Sequence, residues 1–349
     1  MSIAALNAFH RASHKKMRCT ASIKLMRCNS TQATEYGNGA ALRPEKVQDK
    51  AGKAKVRKGS KDKKKPLYTH DPTEIRKFVN RIICGDAEQA LAHIPDMSID
   101  IVITSPPYNF GHAYAQDPHS DTREWNDYFT KLLAVWRECE RVLKPGGRIA
   151  VNVQPLFSDY VPAHHIISRQ LAGLGLLWKA EFLWEKHNYN AKYTAWGSWK
   201  SPSMPYIKYT WEFIEVFDKM THKKAGRHED IDITAEEFKE WVLGRWSFPP
   251  EIRMKDYGHP AMFPEELPRR LMKLFSYKND IVLDPFNGTG TTTLVAWKLR
   301  RRFIGIDVSH QYCDVALRRV VAAAGDGAEQ GSDYPLPALV SFNGLAGHD

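Results

Sequence analysis

Apolar and polar residues alternate in a regular way from about residue 72, and the order of these segments indicates the fold class. The run DIVITSPPY at 100–108 predicts a buried strand that its two prolines bring to an end. The run WNDYFTKLLAVWRECERVL at 125–143 places apolar residues at helical spacing, and Lys144-Pro145-Gly146-Gly147 stops that helix. RIAVNV follows as another strand. A strand, a helix and a strand joined by a short turn predict a βαβ unit, and therefore a parallel sheet.

The same regular pattern returns in the last third of the chain. PEELPRRLMKLFS at 264–276 predicts a helix with proline near its start. DIVLDPFNGTGTTTLVAWKL at 280–299 reads as a strand, a glycine-rich turn and a helix, and RRFIGIDVS at 301–309 is a strand that ends in an acid. QYCDVALRRVVAAA at 311–324 predicts a final helix. The Gly/Ala/Pro-rich segment at 325–349 is expected to be a flexible tail.

Residues 157–258 differ from both flanks, because they are rich in Trp, Tyr, Pro and Lys and their periodicity is weak. EFIEVFDK at 212–219 is the clearest strand. ITAEEFKEWVL at 233–243 is the clearest helix, with Thr234 as its N-cap and Glu237 as the capping-box partner. We interpret 157–258 as an inserted recognition region, which divides one α/β domain into the halves 71–156 and 259–324.

The positive charge of the chain lies ahead of the first regular segment. The net charge is +10, yet residues 1–66 hold 17 Lys and Arg against 4 Asp and Glu, whereas the remainder holds 33 against 36. Weak periodicity and the run KAKVRKGSKDKKKP predict a disordered basic arm over 1–70. Such an arm either binds nucleic acid through phosphate charge or is only a solvated tail. The first 34 residues carry several Arg and Ser and no acid, which also fits an organelle transit peptide; a true start at Met17 is a further alternative.

Composition excludes several classes of protein. At 43% hydrophobic and 26% charged residues, the chain is typical of a soluble globular protein. No apolar run approaches the roughly 18 residues that a membrane helix needs, so no membrane partner is expected. The five cysteines are scattered without a CxxC pair, which favours a reducing compartment and argues against a zinc site. No metal site is expected.

The run LDPFNGTGTTT at 283–293 has the features of a nucleoside-binding loop. A buried strand delivers Asp284, and Gly288 and Gly290 allow a tight turn and a close approach to a ligand. A helix follows at once, so its free N–H groups face the same point. Asp307 ends the next strand, where an acid suits the hydroxyls of a ribose. Dinucleotide-binding proteins usually have the motif GxGxxG. Here GxG is followed by three threonines, which argues against a dinucleotide as the ligand.

The run TSPPY at 104–108 has the features of a holder for a flat heterocycle. The rigid Pro106-Pro107 turn fixes the backbone carbonyls of Ser105 and Pro106, which can accept hydrogen bonds from an exocyclic amino group. Tyr108 supplies a ring on which a base can stack, worth roughly 1–3 kcal/mol. The plain alternative is a buried turn with a core tyrosine.

These two motifs together resemble those of the S-adenosylmethionine-dependent amino-methyltransferases of DNA. The hallmark of that family is (D/N/S)PP(Y/F/W) paired with an FxGxG cofactor loop, here TSPPY and FNGTG. The catalytic motif precedes the loop, which resembles the β class. The resemblance covers about residues 78–321. It implies a Rossmann-like methyltransferase fold with a mainly parallel seven-stranded sheet and an inserted target-recognition region.

The resemblance also assigns candidate site residues. The catalytic set that it implies is Ser105, Pro106, Pro107 and Tyr108. The cofactor set for S-adenosyl-L-methionine is Asp86, Phe263, Asp284, Phe286, Gly288, Gly290, Thr291 and Asp307. The DNA-binding set in the insert is Lys186, Lys192, Trp196, Trp199, Lys200 and Lys208. For the two tryptophans of WGSW, simple core packing is the alternative.

The family's mechanism implies that a target base is flipped out of the duplex and methylated directly on its amino nitrogen. Within the family, Asp at the first motif position goes mainly with N6-adenine and Ser mainly with N4-cytosine. Ser105 therefore favours N4-cytosine, with N6-adenine as the alternative. A carbon-5 cytosine enzyme would need a nucleophilic Cys, usually after Pro, and no cysteine here follows Pro.

Two other classes of function compete with this interpretation. One is an RNA or protein amide methyltransferase of the same fold, which usually shows NPPY and lacks so long an insert. The other is a DNA-binding module that has lost catalysis. The presence of both intact motifs argues against this second class. The expected partners are duplex DNA, a cognate restriction endonuclease and a second copy of the chain. The expected location is the cytoplasm at the nucleoid, or the nucleus or an organelle in a eukaryote.

Overall fold

One mostly parallel sheet organises the computed structural model, which describes residues 72–107, 124–155, 160–187, 202–203, 205, 207, 209–252, 254–258, 261–325 and 335–342. The strands are β1 (Arg81–Cys84), β2 (Ile99–Thr104), β3 (Leu143–Val153), β4 (Leu177–Glu185), β5 (Trp211–Asp218), β6 (Arg245–Ser247), β7 (Ile281–Asp284), β8 (Arg302–Asp307) and β9 (Ala338–Ser341). Their order across the sheet is β6-β4-β5-β3-β2-β7-β8-β1-β9. Within the described part of the chain, β5 alone runs antiparallel to its neighbours.

Helices cover both faces of this sheet. They are α1 (Pro72–Arg76), α2 (Ala87–Ala92), α3 (Trp125–Val142), α4 (Ala163–Gly173), α5 (Ala235–Trp241), α6 (Glu266–Phe275), α7 (Thr291–Lys298) and α8 (His310–Gly325). Successive side chains of a strand point to opposite faces. In β2, Val102 packs into one apolar cluster with α2, α3 and α4, whereas Ile101 and Ile103 pack into another with α6, α7 and α8. The result is a three-layer, Rossmann-like α/β fold, as the sequence predicted.

The sheet has nine strands rather than the expected seven. The two short edge strands, β6 and β9, account for the difference. β9 also corrects the expectation of a flexible tail at 325–349, because Ala338–Ser341 pairs in parallel with β1. Phe342 then packs against the core on that side. β9 could not be recognised in the sequence, because it has only four residues and they show no alternation of apolar and polar positions.

The expected insert at 157–258 contributes to the central sheet. It supplies α4, β4, β5 and β6, of which only β5 was predicted. β4 escaped notice because its exposed and half-buried positions hide the alternation of a half-buried strand. The capping box of α5 is confirmed: Thr234 accepts from the Glu237 amide, and the Glu237 carboxylate accepts from the Thr234 amide. Among the described helices, none is long and apolar enough to cross a membrane.

Candidate active site

The two motifs meet because their strands are neighbours. β2 pairs in parallel with β7, with Ile101 opposite Val282, so their carboxyl ends lie side by side. The hydroxyl of Thr104 donates to Asp284 Oδ1 at 2.6 Å, although the two residues are 180 positions apart in the chain. Ser105, which follows Thr104, therefore lies next to the start of the glycine-rich loop.

A cleft of about 450 Å³ opens at this edge of the sheet. It brings together residues from both motifs and from the expected insert. Of the residues predicted from the sequence, its walls include Asp86, Ser105, Pro106, Pro107, Lys186, Phe263, Asp284, Phe286, Gly288, Thr291 and Asp307. Gly290 instead shapes the turn that leads into α7. Tyr108, Lys192, Trp196, Trp199, Lys200 and Lys208 lie outside the described residues.

The glycine-rich turn has the backbone that its sequence indicates. Gly290 has φ +81° and stands at the N-cap of α7. A Cβ atom on this residue would lie 2.6 Å from Ala316 Cβ, so both the dihedral angle and the contact with α8 require glycine. The turn brings the first N–H groups of α7, from Thr291 onward, to the cleft side of the sheet.

Asp307 lies at the end of β8, and its carboxylate accepts two backbone hydrogen bonds. The Gly288 N–H donates to Oδ2 at 2.8 Å, and the Ser309 N–H donates to Oδ1 at 2.9 Å. Burial raises the pKa of Asp307 to about 6, although these two bonds act in the opposite direction. A carboxylate offers about four acceptor sites, so two remain for ligand hydroxyls.

Asp284 is the second buried acid of the cleft, at 2% exposure. Burial raises its pKa to about 6, against the hydrogen bonds that it accepts from the Thr104 hydroxyl and the Phe286 N–H. No ion pair reaches Asp284 or Asp307 from the described residues. A ligand with positive charge and hydroxyl groups fits this pair of acids.

Two further residues of the loop are fixed by their neighbours. Asn287 lines the cleft, but its amide packs beside Gly305 of β8, where Oδ1 accepts from the Thr293 hydroxyl at 3.1 Å and Nδ2 has no partner among the described residues. Phe286 is half-buried and meets Trp136 edge to face, with ring centroids 5.9 Å apart. Asp86 lines the cleft as well, but its Oδ1 also caps α2 by accepting from the Glu88 and Gln89 amides at 3.1 and 3.3 Å.

The Pro-Pro turn is held from the side by a residue that the sequence analysis missed. The hydroxyl of Tyr128, on α3, donates to the Pro107 carbonyl at 2.5 Å. Tyr128 is 5% exposed, and Pro106 is buried. The Pro107 carbonyl therefore already accepts a hydrogen bond from the protein. This bond holds the turn in place, and the carbonyls of Ser105 and Pro106 precede it in the chain.

A polar cluster that the motifs did not indicate forms another wall of the cleft. Lys186 Nζ lies 2.6 Å from Glu212 Oε1, and Asn152 Nδ2 donates to Glu212 Oε2 at 2.5 Å. Glu212 and Asn152 are 5% and 2% exposed. Lys186 was predicted to bind DNA; the structure places it in this ion pair, and its role toward DNA stays a prediction. In the sequence, the one sign of this cluster was a polar residue, Asn152, inside the apolar run RIAVNV.

Comparison with known proteins gives a consistent result. Residues 99–318 match the family model described as DNA methylase. The chain is 29% identical over 282 residues to the Type II methyltransferase M.BglII of Bacillus subtilis, covering 77% of each chain. It is 30% identical over 270 residues to the Type II methyltransferase M.MjaI of Methanocaldococcus jannaschii, covering 66% of this chain and 87% of the relative.

Solved structures show the same fold. A Thermus thermophilus protein described as a DNA modification methylase, in complex with S-adenosyl-L-methionine, superposes with a TM-score of 0.56 at 28% identity. That match covers 69% of this chain and 93% of the Thermus chain. The cytosine-N4-specific PvuII DNA methyltransferase superposes with a TM-score of 0.52 at 21% identity, over 69% of this chain and 88% of its own, and shows likeness of fold.

Proposed function

The chain belongs to the DNA methylase family of N4- and N6-amino-methyltransferases, and on that premise we propose that it methylates N4 of a flipped cytosine in duplex DNA. Methylation of DNA from S-adenosyl-L-methionine is common to the family. The observation that carries the proposal is that the Ser105-Pro106-Pro107 turn and the glycine-rich loop line one cleft. The choice of cytosine rests on Ser105 at the first position of the motif.

The residues of the cleft fit S-adenosyl-L-methionine, which supplies an electrophilic methyl group on a positively charged sulfur when bound. Asp307 would accept from the ribose hydroxyls at the acceptor sites that Gly288 and Ser309 leave open. Asp284 would contribute negative charge beside the cationic part of the ligand. Phe263, which lines the cleft, would form an apolar wall on the methionine side.

The Pro-Pro turn would hold the target amino group. The backbone carbonyls of Ser105 and Pro106 would accept its two N–H groups and so draw the nitrogen lone pair out of the ring system. Because Tyr128 already binds the Pro107 carbonyl, the turn is fixed before the base arrives. Catalysis of this kind is positioning and electrostatics, without a covalent intermediate on the protein. The flat face beside the turn is assigned to Tyr108, which stays a prediction from the sequence.

One experiment tests both the reaction and the base. Purified protein is incubated with duplex DNA and methyl-labelled S-adenosyl-L-methionine, with RNA and a protein mixture as parallel substrates. The DNA is then digested to nucleosides and analysed by mass spectrometry. We expect label in DNA as N4-methylcytosine. N6-methyladenine would overturn the choice of base alone, whereas label only in RNA or protein would overturn the DNA substrate.

The relatives are named Type II methyltransferases, so we propose that a restriction endonuclease of the same recognition sequence accompanies this chain. Long-read sequencing of DNA from a host that expresses the protein should give the methylated sequence. DNA modified in that host should then resist an endonuclease that cuts at the mapped sequence. Full cleavage of the modified DNA would contradict a protective role.

A further inference from the structure

A buried amide side chain lies one residue before the end of β3, near the Pro-Pro turn. β2 and β3 are parallel, and Thr104 pairs with Val151. Ser105 and Asn152 are therefore the next residues along, at the same edge of the sheet. Asn152 is 2% exposed and lines the cleft. Neither motif includes it, and no role has been assigned to it so far.

The orientation of this amide is determined by its neighbours. Asn152 Nδ2 lies 2.5 Å from Glu212 Oε2, and Glu212 Oε1 lies 2.6 Å from Lys186 Nζ. A carboxylate paired with an ammonium only accepts hydrogen bonds, so the amide must turn its NH₂ toward Glu212. Asn152 Oδ1 therefore faces away from the ion pair.

The amide oxygen of Asn152 accepts no hydrogen bond from the described part of the protein, although it is buried. Buried side-chain acceptors are almost always bonded, so an unbonded one on a residue that lines a ligand cleft points to a donor on the ligand. An exocyclic amino group is such a donor, and the backbone carbonyls proposed to hold it belong to Ser105 and Pro106, the two residues that follow β2, which is the strand beside β3.

We infer that Asn152 Oδ1 accepts one N–H of the target amino group, which it shares with one of the two backbone carbonyls, and this makes Asn152 a further catalytic residue. Glu212 and Lys186 are then positioning residues, because they hold the amide with its oxygen toward the base. This inference rests on the proposed function, since it requires a base with an amino group in the cleft. It does not depend on whether that base is cytosine or adenine.

The test compares two duplexes that contain the mapped target sequence. One carries the normal target base, and the other carries the same base without its amino group, 2-pyrimidinone for cytosine or purine for adenine. Dissociation constants are measured in the presence of S-adenosylhomocysteine, which allows no transfer. The ratio of the two constants is compared between wild type and variants, so the cost of opening each base pair cancels.

We expect the ratio to change by about tenfold in Asn152→Leu, because one hydrogen bond to a buried acceptor is lost. Asn152→Ala should give the same change if Asn152→Leu does not fold, as judged by thermal melting. Glu212→Gln should give a smaller change of about threefold, because the amide is held less firmly. Cofactor affinity should stay at the wild-type value in all three variants.

Glu215→Gln is the matched control. Like Glu212, Glu215 lies on β5, but its side chain is on the opposite face of the sheet, where it is paired with Glu181 of β4. It should leave the ratio unchanged. A wild-type ratio in both Asn152 variants would overturn the inference. If the wild-type protein fails to methylate DNA at all, the proposed function fails instead, so the two failures are distinct.

Discussion

At the scale of single residues, burial rather than residue type determines the chemistry of the cleft. Asp284 and Asp307 were identified from the sequence as acids at strand ends. The structure adds that burial raises the pKa of each to about 6. A site with two acids of this kind binds a cationic, hydroxyl-bearing ligand most tightly when both carboxyls are ionised.

Cofactor affinity should therefore depend on pH. Only the ionised carboxylate of Asp307 offers all its acceptor sites, so the affinity for S-adenosyl-L-methionine should rise as the pH increases through about 6 and level off near 8. At pH 6 binding should release protons, which isothermal titration calorimetry detects as an enthalpy that varies with the buffer. Asp307→Asn should bind about tenfold more weakly and show a flatter pH profile. An affinity that falls with rising pH would contradict the assignment.

Tyr128 should matter for the reaction but not for the cofactor. Tyr128→Phe removes the hydroxyl that holds the Pro107 carbonyl, so the turn becomes less well fixed. We expect the single-turnover methylation rate to fall about tenfold while the dissociation constant of the cofactor stays the same. Tyr209→Phe, at a position that is 39% exposed, is the control. Equal rates for Tyr128→Phe and wild type would show that the turn needs no such support.

At the scale of secondary-structure elements, the sequence predicted those that carry motifs and missed those that carry none. β2, β7 and β8 were recognisable because the apolar run of β2 is ended by Ser-Pro-Pro and those of β7 and β8 end in Asp. β4 and β9 were not, since β4 is half exposed and β9 is only four residues long. The cluster of Asn152 and Glu212 was missed for a related reason: the two residues are 60 positions apart in the chain, and only the pairing of β3 with β5 brings them together.

The start of α7 gives a stability prediction. Gly290→Ala forces a left-handed dihedral angle on a side-chain residue and a contact of 2.6 Å with Ala316. We expect the free energy of unfolding to fall by about 2–3 kcal/mol, measured by urea titration. Gly173→Ala is the matched control, since a Cβ atom at that position, the end of α4, would meet nothing within 4 Å beyond its own helix backbone. That variant should be neutral or slightly stabilising.

The edge strand β9 gives a second stability prediction. Phe342 follows β9, packs against the core and meets His93 edge to face, with ring centroids 5.4 Å apart. Phe342→Ala should lower the free energy of unfolding by about 1–2 kcal/mol, as expected for a half-buried ring. Leu336→Ala, at a position that is 76% exposed, should have little effect. Equal stability of Phe342→Ala and wild type would show that the strand contributes nothing at this edge.

At the scale of the whole molecule, charge is distributed very unequally. Residues 1–66 carry the whole positive excess, whereas the rest of the chain has 33 basic and 36 acidic residues. The lining of the cleft includes the buried acids Asp284, Asp307 and Glu212 and the lysines Lys131 and Lys186, so the cleft has no comparable excess of positive charge. This separation of charge could be read from the sequence alone, because counting charges needs no fold.

Removal of residues 1–66 should weaken binding to non-target DNA and reduce its dependence on salt, because fewer phosphates are neutralised. The ratio of target to non-target affinity should be preserved or increased. Fluorescence anisotropy at several salt concentrations measures both quantities. An arm of the same length with its Lys and Arg changed to Gln separates charge from chain length. An unchanged salt dependence after the deletion would identify the arm as a solvated tail.

The position of β1 in the sheet has a consequence for how the protein is made. β1 is the first strand of the described chain to leave the ribosome, yet its neighbours are β8 and β9, more than 200 residues later in the chain. Its backbone must stay unpaired through most of translation, exposed to wrong partners. Only when β9 has been synthesised can the sheet close on that side. Ribosome-bound chains that stop before Arg302 should therefore remain sensitive to protease around β1, and release of the finished chain should protect it.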